Sequence, residues 1–257
     1  MRVNIINIGC FKNLVDCERL MWQLQMVGAD VVFGPTEANG DIVIVNTCGF
    51  ISDAEKDSVA LLLDIAKRKR RGQYSQFWVM GCYGQKMGNE IIRRIPEVDK
   101  VYGNFNWNRI VSDIGNQPWI NCTDRIITTP RHYAYVKISE GCNMPCSYCI
   151  KPVINGPLKS EPIETIVDEC RTLAKMGVKE LQIVSQNTTD YGRDIYHKPQ
   201  IAELIDRISD IEGIKWVRLH YAYPTNFPKD LIDVIATKAN VCKYIDMAIQ
   251  HCNEDML

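Results

Sequence analysis

The sequence predicts an α/β protein in two parts. A doubly wound parallel α/β domain occupies residues 1–120, a linker residues 121–131, and a partial (βα) barrel residues 132–257, truncated after about four strands. Three observations carry this expectation. Short β-rich runs alternate with segments of helical spacing along the chain, the pattern of a parallel sheet covered by helices. Pro118 and Pro130 punctuate a stretch without periodicity between two such series. Cys10, Cys48 and Cys82, 38 and 34 residues apart, each follow directly on a predicted strand.

The elements follow in order. Val3–Ile8 is a strand ending at Gly9-Cys10, and Leu14–Val27 carries apolar residues at helical spacing. Asp41–Asn46 is nearly continuous apolar, as in a strand buried on both faces, and ends at Thr47-Cys48-Gly49. Ser52, three places before Glu55, supplies an N-cap for a helix running towards Arg70. Gln76–Met80 is the next strand, ending at Gly81-Cys82. In the second series Tyr133–Ile138 is a strand, followed by a cysteine loop and a helix from Pro162 to Met176 that stops at Gly177. Lys179–Ser185, Lys215–His220 and Lys243–Ile249 complete four strands, separated by helical patterns around Ile201–Ile211 and Lys229–Thr237. Their carboxyl ends fall at Cys142, Gln186, Tyr221 and Gln250, the edge where such sheets and barrels bind ligands. With four strands the barrel stays open, and an open strand edge marks the chain as a fragment.

Composition narrows the function classes. The content of 46% hydrophobic and 24% charged residues is that of a globular protein with real cores. No run approaches 18 uncharged apolar residues, and the Met1-Arg2-Val3-Asn4-Ile5 start lacks signal-peptide character, so no membrane partner is expected. Eleven cysteines without an export signal imply reduced thiols and a cytoplasmic location. A net charge of −1 gives no basic field, so direct nucleic-acid binding is not expected. The one basic run, Lys67–Arg71 before Gly72, fits the last turn of a helix, where cations meet the negative end of the dipole. A G-x-G-x-x-G fingerprint is missing after the first strand, which removes a nicotinamide-binding reading.

The densest chemistry lies in Cys142-Asn143-Met144-Pro145-Cys146-Ser147-Tyr148-Cys149, a C-x3-C-x2-C loop. Iron–sulfur cubes are held by thiolates, normally four. Three thiolates leave one iron open to a small ligand. A structural zinc site needs a fourth N or S ligand, which His132 or a distant cysteine could give. The remaining alternative is plain packing of three small thiols, against which the polar turn residues Asn143, Pro145 and Ser147 speak. Cys10, Cys48 and Cys82 form a second three-cysteine set, brought to one sheet rim by the fold. Their alternative is likewise the ordinary burial of cysteine in strands.

These motifs resemble a known family. C-x3-C-x2-C after the first strand of a (βα) barrel is similar to the radical S-adenosylmethionine superfamily. A preceding α/β domain with three strand-end cysteines resembles its methylthiotransferases. Gly9-Cys10-Phe11-Lys12-Asn13-Leu14-Val15-Asp16 resembles the RimO branch, which modifies a ribosomal protein, more than the transfer-RNA branch. Asn46–Ile51, Tyr133–Cys142, Thr188–Gly192, Tyr221–Pro224 and Gln250-His251 support it. The resemblance implies that Cys142, Cys146 and Cys149 hold a 4Fe–4S cluster whose open iron chelates S-adenosylmethionine, cleaved to a 5′-deoxyadenosyl radical. It implies a place for Tyr148 near the adenine and for Gln186 near the methionine amino end. It implies a second, sulfur-delivering 4Fe–4S cluster on Cys10, Cys48 and Cys82, an external electron donor, and a 3-methylthio-aspartate product on the twelfth protein of the small ribosomal subunit.

Two departures stand out. Asn155-Gly156-Pro157-Leu158-Lys159-Ser160-Glu161 lies where the branch often carries basic residues, and the family's later barrel strands and small β-barrel are absent. The rival functions are a transfer-RNA adenosine methylthiotransferase, against which the missing basic excess speaks, and a non-catalytic iron–sulfur or zinc scaffold. The scaffold would recruit Cys17, Cys122, Cys170, Cys242 and Cys252, which read instead as packing thiols.

Overall fold

The computed structural model describes residues 1–34, 40–253 and 255. They form two compact units: residues 1–128 with 148–155, and residues 129–147 with 156–257.

The first unit runs β1 (Arg2–Asn7), α1 (Phe11–Met26), β2 (Asp30–Phe33), β3 (Gly40–Thr47), α2 (Ser52–Arg70), β4 (Tyr74–Gly81), α3 (Cys82–Met87), α4 (Glu90–Arg94), β5 (Lys100–Val101), α5 (Arg109–Gly115) and α6 (Lys151–Asn155). Its five strands are all parallel in the order β2-β1-β3-β4-β5. Side chains alternate across the sheet as the pleat requires. Ile6, Val43, Val45, Phe77 and Val79 pack with Leu62, Ile65 and Ala66 of α2. Val3, Ile5, Ile42, Ile44, Trp78 and Met80 pack on the other face with Leu20, Met21 and Leu24 of α1 and Ile110 and Val111 of α5. The sheet is therefore covered on both faces, which is why β3 reads as an uninterrupted apolar run.

The second unit runs β6 (Tyr133–Lys137), β7 (Ser139–Glu140), β8 (Lys159–Ser160), α7 (Ile163–Lys175), β9 (Glu180–Val184), a 3-10 turn (Thr188–Asp190), α8 (Arg193–Tyr196), α9 (Ile201–Ser209), β10 (Trp216–Leu219) and α10 (Asp230–Thr237). β6, β9 and β10 pair in parallel and in chain order, as an arc of a (βα) barrel does, while β7 and β8 form a short antiparallel clasp.

Several local expectations change. β2 has no strong sequence signal: its four residues are half-buried or exposed at the sheet edge, so neither alternation nor a long apolar run marks it. Ser52 is the first residue of α2, with Ile51 in the capping position and no side-chain cap; Ser58 in the next turn does the polar work instead. The expected strand Lys243–Ile249 is reduced to one isolated parallel bridge, Ala222↔Met247, with a second, Val217↔Val241, just before it. The reason lies next door: Tyr221 takes a left-handed φ of 57° just past β10, so the neighbouring backbone cannot stay extended between the two bridges.

The stretch after α5 is not a free linker. Trp119 and Ile126 pack on the α1 face of the sheet, and Trp107 meets Trp119 edge-on at 4.9 Å. Gln23 and Ile120 exchange two hydrogen bonds, Nε2 to carbonyl at 2.6 Å and backbone N–H to Oε1 at 3.0 Å. Glu18, wholly buried, accepts from Arg125 Nη1 at 3.1 Å and from Thr128 N and Oγ1 at 2.7 and 2.8 Å. The first unit accordingly extends to Thr128. The basic run ends α2 as expected: Arg68 pairs with Asp64 at 2.7 Å, Arg70 with Glu97 at 3.3 Å, and Lys69 Nζ donates to the Glu97 carbonyl.

Candidate functional site

The three strand-end cysteines of the first unit follow its three central strands, β1, β3 and β4. Register aligns Asn7 of β1 with Asn46 of β3, and Asn46 and Thr47 with Met80 and Gly81 of β4. Cys48 and Cys82 are each one residue beyond the Thr47–Gly81 pair, and neighbouring strands lie about 4.8 Å apart. Ile8 N still bonds the Asn46 carbonyl at 3.0 Å, so the turn carrying Cys10 leaves the same edge.

A polar lattice fixes that edge. Asn13 Nδ2 donates to Asn46 Oδ1, and Asn46 Nδ2 donates to the Asn13 carbonyl, both at 3.0 Å and buried. The Cys10 thiol donates to Asn13 Oδ1 at 3.2 Å, from the capping position of α1, where the positive end of the helix dipole faces the sulfur. Cys48 N donates to Ser58 Oγ at 3.1 Å, and Asn104 Nδ2 approaches Cys82 Sγ at 3.7 Å. Asn13, Asn46, Ser58 and Asn104 are hydrogen-bond partners at this edge that sequence reasoning missed. Only Asn13 and Asn46 carried a signal, by their place in the cysteine motifs.

The glycines beside the cysteines have a steric cause. Gly81 has φ +90°, and a Cβ there would lie 2.1 Å from Asn46 Oδ1 and 2.7 Å from the Thr47 carbonyl. Gly141, before Cys142, has φ +74°, and its Cβ would lie 2.0 Å from the Pro157 carbonyl. Gly81→Ala is expected to lower the melting temperature of the chain, since a backbone at φ +90° and ψ −161° is essentially open to Gly alone and costs another residue about 1–3 kcal/mol. An unchanged melt followed by circular dichroism would contradict this reading.

In the second unit the cysteine loop leaves β7, where Ser139↔Ser160 and Glu140↔Lys159 pair. Cys142 N donates to the Gly156 carbonyl at 3.1 Å and Leu158 N to Asn143 Oδ1 at 2.9 Å, closing the loop at its base. Met144 N points at Cys142 Sγ at 3.5 Å, and Tyr223 Oη lies 3.5 Å from Cys146 Sγ. Cys149 and Tyr148, which group with the first unit, are half-buried and 69% exposed respectively. Gln186, just past β9, donates through Nε2 to Glu140 Oε1 at 2.6 Å. Its Oε1 is buried without a partner, an acceptor held ready for a donor. Glu140 also takes Lys137 Nζ at 3.1 Å. Glu140 and Tyr223 were not foreseen as site residues.

The donor chemistry of the two sets fits iron–sulfur clusters. All six thiols are half-buried, and the sulfurs of Cys82, Cys142 and Cys146 lie within reach of backbone or side-chain donors that suit sulfur anions. Among the described residues no three Cys, His, Asp or Glu side chains converge as ligands of a single metal ion. A cube spreads its thiolates over separate irons and needs no such convergence. Of the other cysteines, Cys17 and Cys170 are fully buried, and burial pushes the Cys122 and Cys242 thiols up, away from the ligating thiolate; Cys252, expected as a packing thiol, is instead exposed.

Comparison with known proteins places the chain. Residues 2–103 match an uncharacterized protein family, UPF0004, and residues 136–257 match the radical SAM superfamily. The ribosomal protein uS12 methylthiotransferase RimO of Parabacteroides distasonis is 48% identical over 257 residues, all of this chain and 60% of that protein. Over essentially its whole length the chain is similar to the RimO radical S-adenosylmethionine methylthiotransferases. RimO of Bacteroides fragilis is also 48% identical, over 99% of this chain and 59% of its own length, and RimO of Cytophaga hutchinsonii 42%. The chain spans about three fifths of the length of these curated RimO relatives.

The fold has relatives among solved structures. The radical S-adenosylmethionine methyltransferase TsrM from Kitasatospora setae, with cobalamin and a 4Fe–4S cluster bound, matches with a TM-score of 0.70 at 14% identity, covering 99% of this chain and 62% of that one. The cobalamin-dependent radical enzyme OxsB, with aqua-cobalamin and S-adenosylmethionine bound, matches with a TM-score of 0.62 at 11% identity, covering 96% of this chain and 44% of that one. No described helix is long and apolar enough to cross a membrane.

Proposed function

We propose that the chain works in a methylthiotransferase that places a methylthio group on the β-carbon of an aspartate in the twelfth protein of the small ribosomal subunit. The observation that carries this is the pair of three-cysteine sets, one following the parallel strands β1, β3 and β4 and one on the loop that leaves β7. The name shared by the RimO relatives supports the substrate. Cys142, Cys146 and Cys149 would hold one 4Fe–4S cluster and Cys10, Cys48 and Cys82 the other. The cluster that these three loop cysteines would hold would supply the electron for cleavage of the sulfonium of S-adenosylmethionine.

The chain's own residues then bind and orient. Gln186, its amide nitrogen tied to Glu140, offers its unpartnered Oε1 to the ammonium of the methionine part. The exposed ring of Tyr148 would cover the adenine. Cytoplasmic work with an external electron donor belongs to the same proposal.

Anaerobic reconstitution tests it. Two cubes give about eight iron and eight sulfide per chain. Zinc without sulfide, or four iron only, would remove one or both cluster assignments.

A further inference from the structure

Tyr223 Oη, 77 residues away in sequence, lies 3.5 Å from the Cys146 sulfur. That contact is built rather than incidental. β10 ends at Leu219, and the left-handed Tyr221, φ 57°, turns the chain immediately afterwards. The turn is pinned from both sides, with Tyr221 N donating to Asp246 Oδ2 at 3.1 Å and Thr188 N donating to the Tyr221 carbonyl at 3.1 Å. Tyr223 itself is held through its backbone: its N–H donates to Thr189 Oγ1 at 3.2 Å. Thr189 Oγ1 in turn donates to Asn187 Oδ1 at 2.7 Å, and Asn187 Nδ2 donates to Asp190 Oδ2 at 3.0 Å. A non-Gly residue in the left-handed region persists only where its surroundings over-determine it, and such residues gather at functional sites.

We propose that Tyr223 is a positioning residue that sets the reduction potential of the cluster held by Cys142, Cys146 and Cys149, by donating a hydrogen bond to the Cys146 sulfur. The inference rests on the cluster reading given above. A ligating thiolate carries no proton, so the phenol must be the donor. The reduced cluster has one more negative charge, part of it on the ligand sulfurs. A hydrogen bond to sulfur is therefore stronger after reduction, and it raises the potential. Hydrogen bonds to charged groups are worth about twice those between neutral ones, and the oxidised and reduced states share that energy unequally.

The test is an anaerobic redox titration, following the paramagnetic signal of the reduced cluster. It uses the reconstituted chain with Cys10, Cys48 and Cys82 replaced by Ala, so that one cluster reports. Tyr223→Phe keeps the ring and removes the donor. The expected result is four iron per chain in both proteins and a more negative midpoint in Tyr223→Phe. At a fixed potential the reduced-to-oxidised ratio should fall about tenfold, which is 59 mV for one electron. Thr189→Val, which loosens Tyr223 without removing its phenol, should give a smaller shift of the same sign, and Thr189→Ser none.

Equal midpoints with intact iron content would overturn the tuning role while leaving the cluster assignment standing. Absence of iron from the chain that retains Tyr223 would overturn the cluster reading, and this inference with it. A structural role alone would lower the melting temperature or the iron content and leave the midpoint in place.

Discussion

A Cys146→Ala enzyme, made in the protein extended to the length of its RimO relatives, is expected to lose all cleavage of S-adenosylmethionine, as are Cys142→Ala and Cys149→Ala. Each removes one of only three thiolates available to the loop cluster, and no fourth cysteine lies near enough in sequence to substitute. Cys10→Ala, Cys48→Ala and Cys82→Ala should behave differently. Those thiols end β1, β3 and β4 on a separate sheet edge, so cleavage to 5′-deoxyadenosine should continue while methylthio transfer stops. Chromatographic measurement of 5′-deoxyadenosine beside mass analysis of the ribosomal-protein substrate separates the two effects. A Cys48→Ala enzyme that still completes the product at the unaltered rate would end the sulfur-delivery role of that set.

The second large effect is on stability. Glu18 and Arg125 are an ion pair with side chains 3% and 1% exposed, and the carboxylate also takes both donors of Thr128. Removing one partner of a buried pair costs about 3–5 kcal/mol, because the other charge is left in a low-dielectric site. Glu18→Ala should therefore lower the urea midpoint of the first unit steeply and release the stretch after α5 from α1. Replacing both, Glu18→Leu with Arg125→Met, should recover part of the loss. Recovery stays incomplete because the two Thr128 donors lose their acceptor, which costs about 1–3 kcal/mol when they are buried. A change below about 1 kcal/mol for Glu18→Ala would give the pair the weight of a surface contact and contradict the packed description of residues 116–128.

The amino-acid sequence by itself located the candidate site before any coordinates. C-x3-C-x2-C is a local spacing, and local spacing places three thiols on one loop whatever surrounds it. The alternation of β1, α1, β3, α2 and β4 was legible for a similar reason: apolar runs buried on both faces and helices with one apolar side write themselves into periodicity. Even Cys10, Cys48 and Cys82 could be assigned to one edge, because parallel strands share their carboxyl ends.

Tertiary structure decided what depends on partners distant in sequence. β2 exists because it pairs with β1 at the sheet edge, not because of its own four residues. The segment 241–247 fails as a continuous strand because of the turn at Tyr221 beside it, which no property of its own sequence encodes. Residues 116–128 look like a linker by composition and are bound by Glu18 and Gln23, about a hundred positions earlier. Glu140 and Tyr223 show the same logic at the site. Each matters through one side-chain contact, to Gln186 46 positions away and to Cys146 77 positions away, and contacts of that range leave no trace in periodicity or spacing.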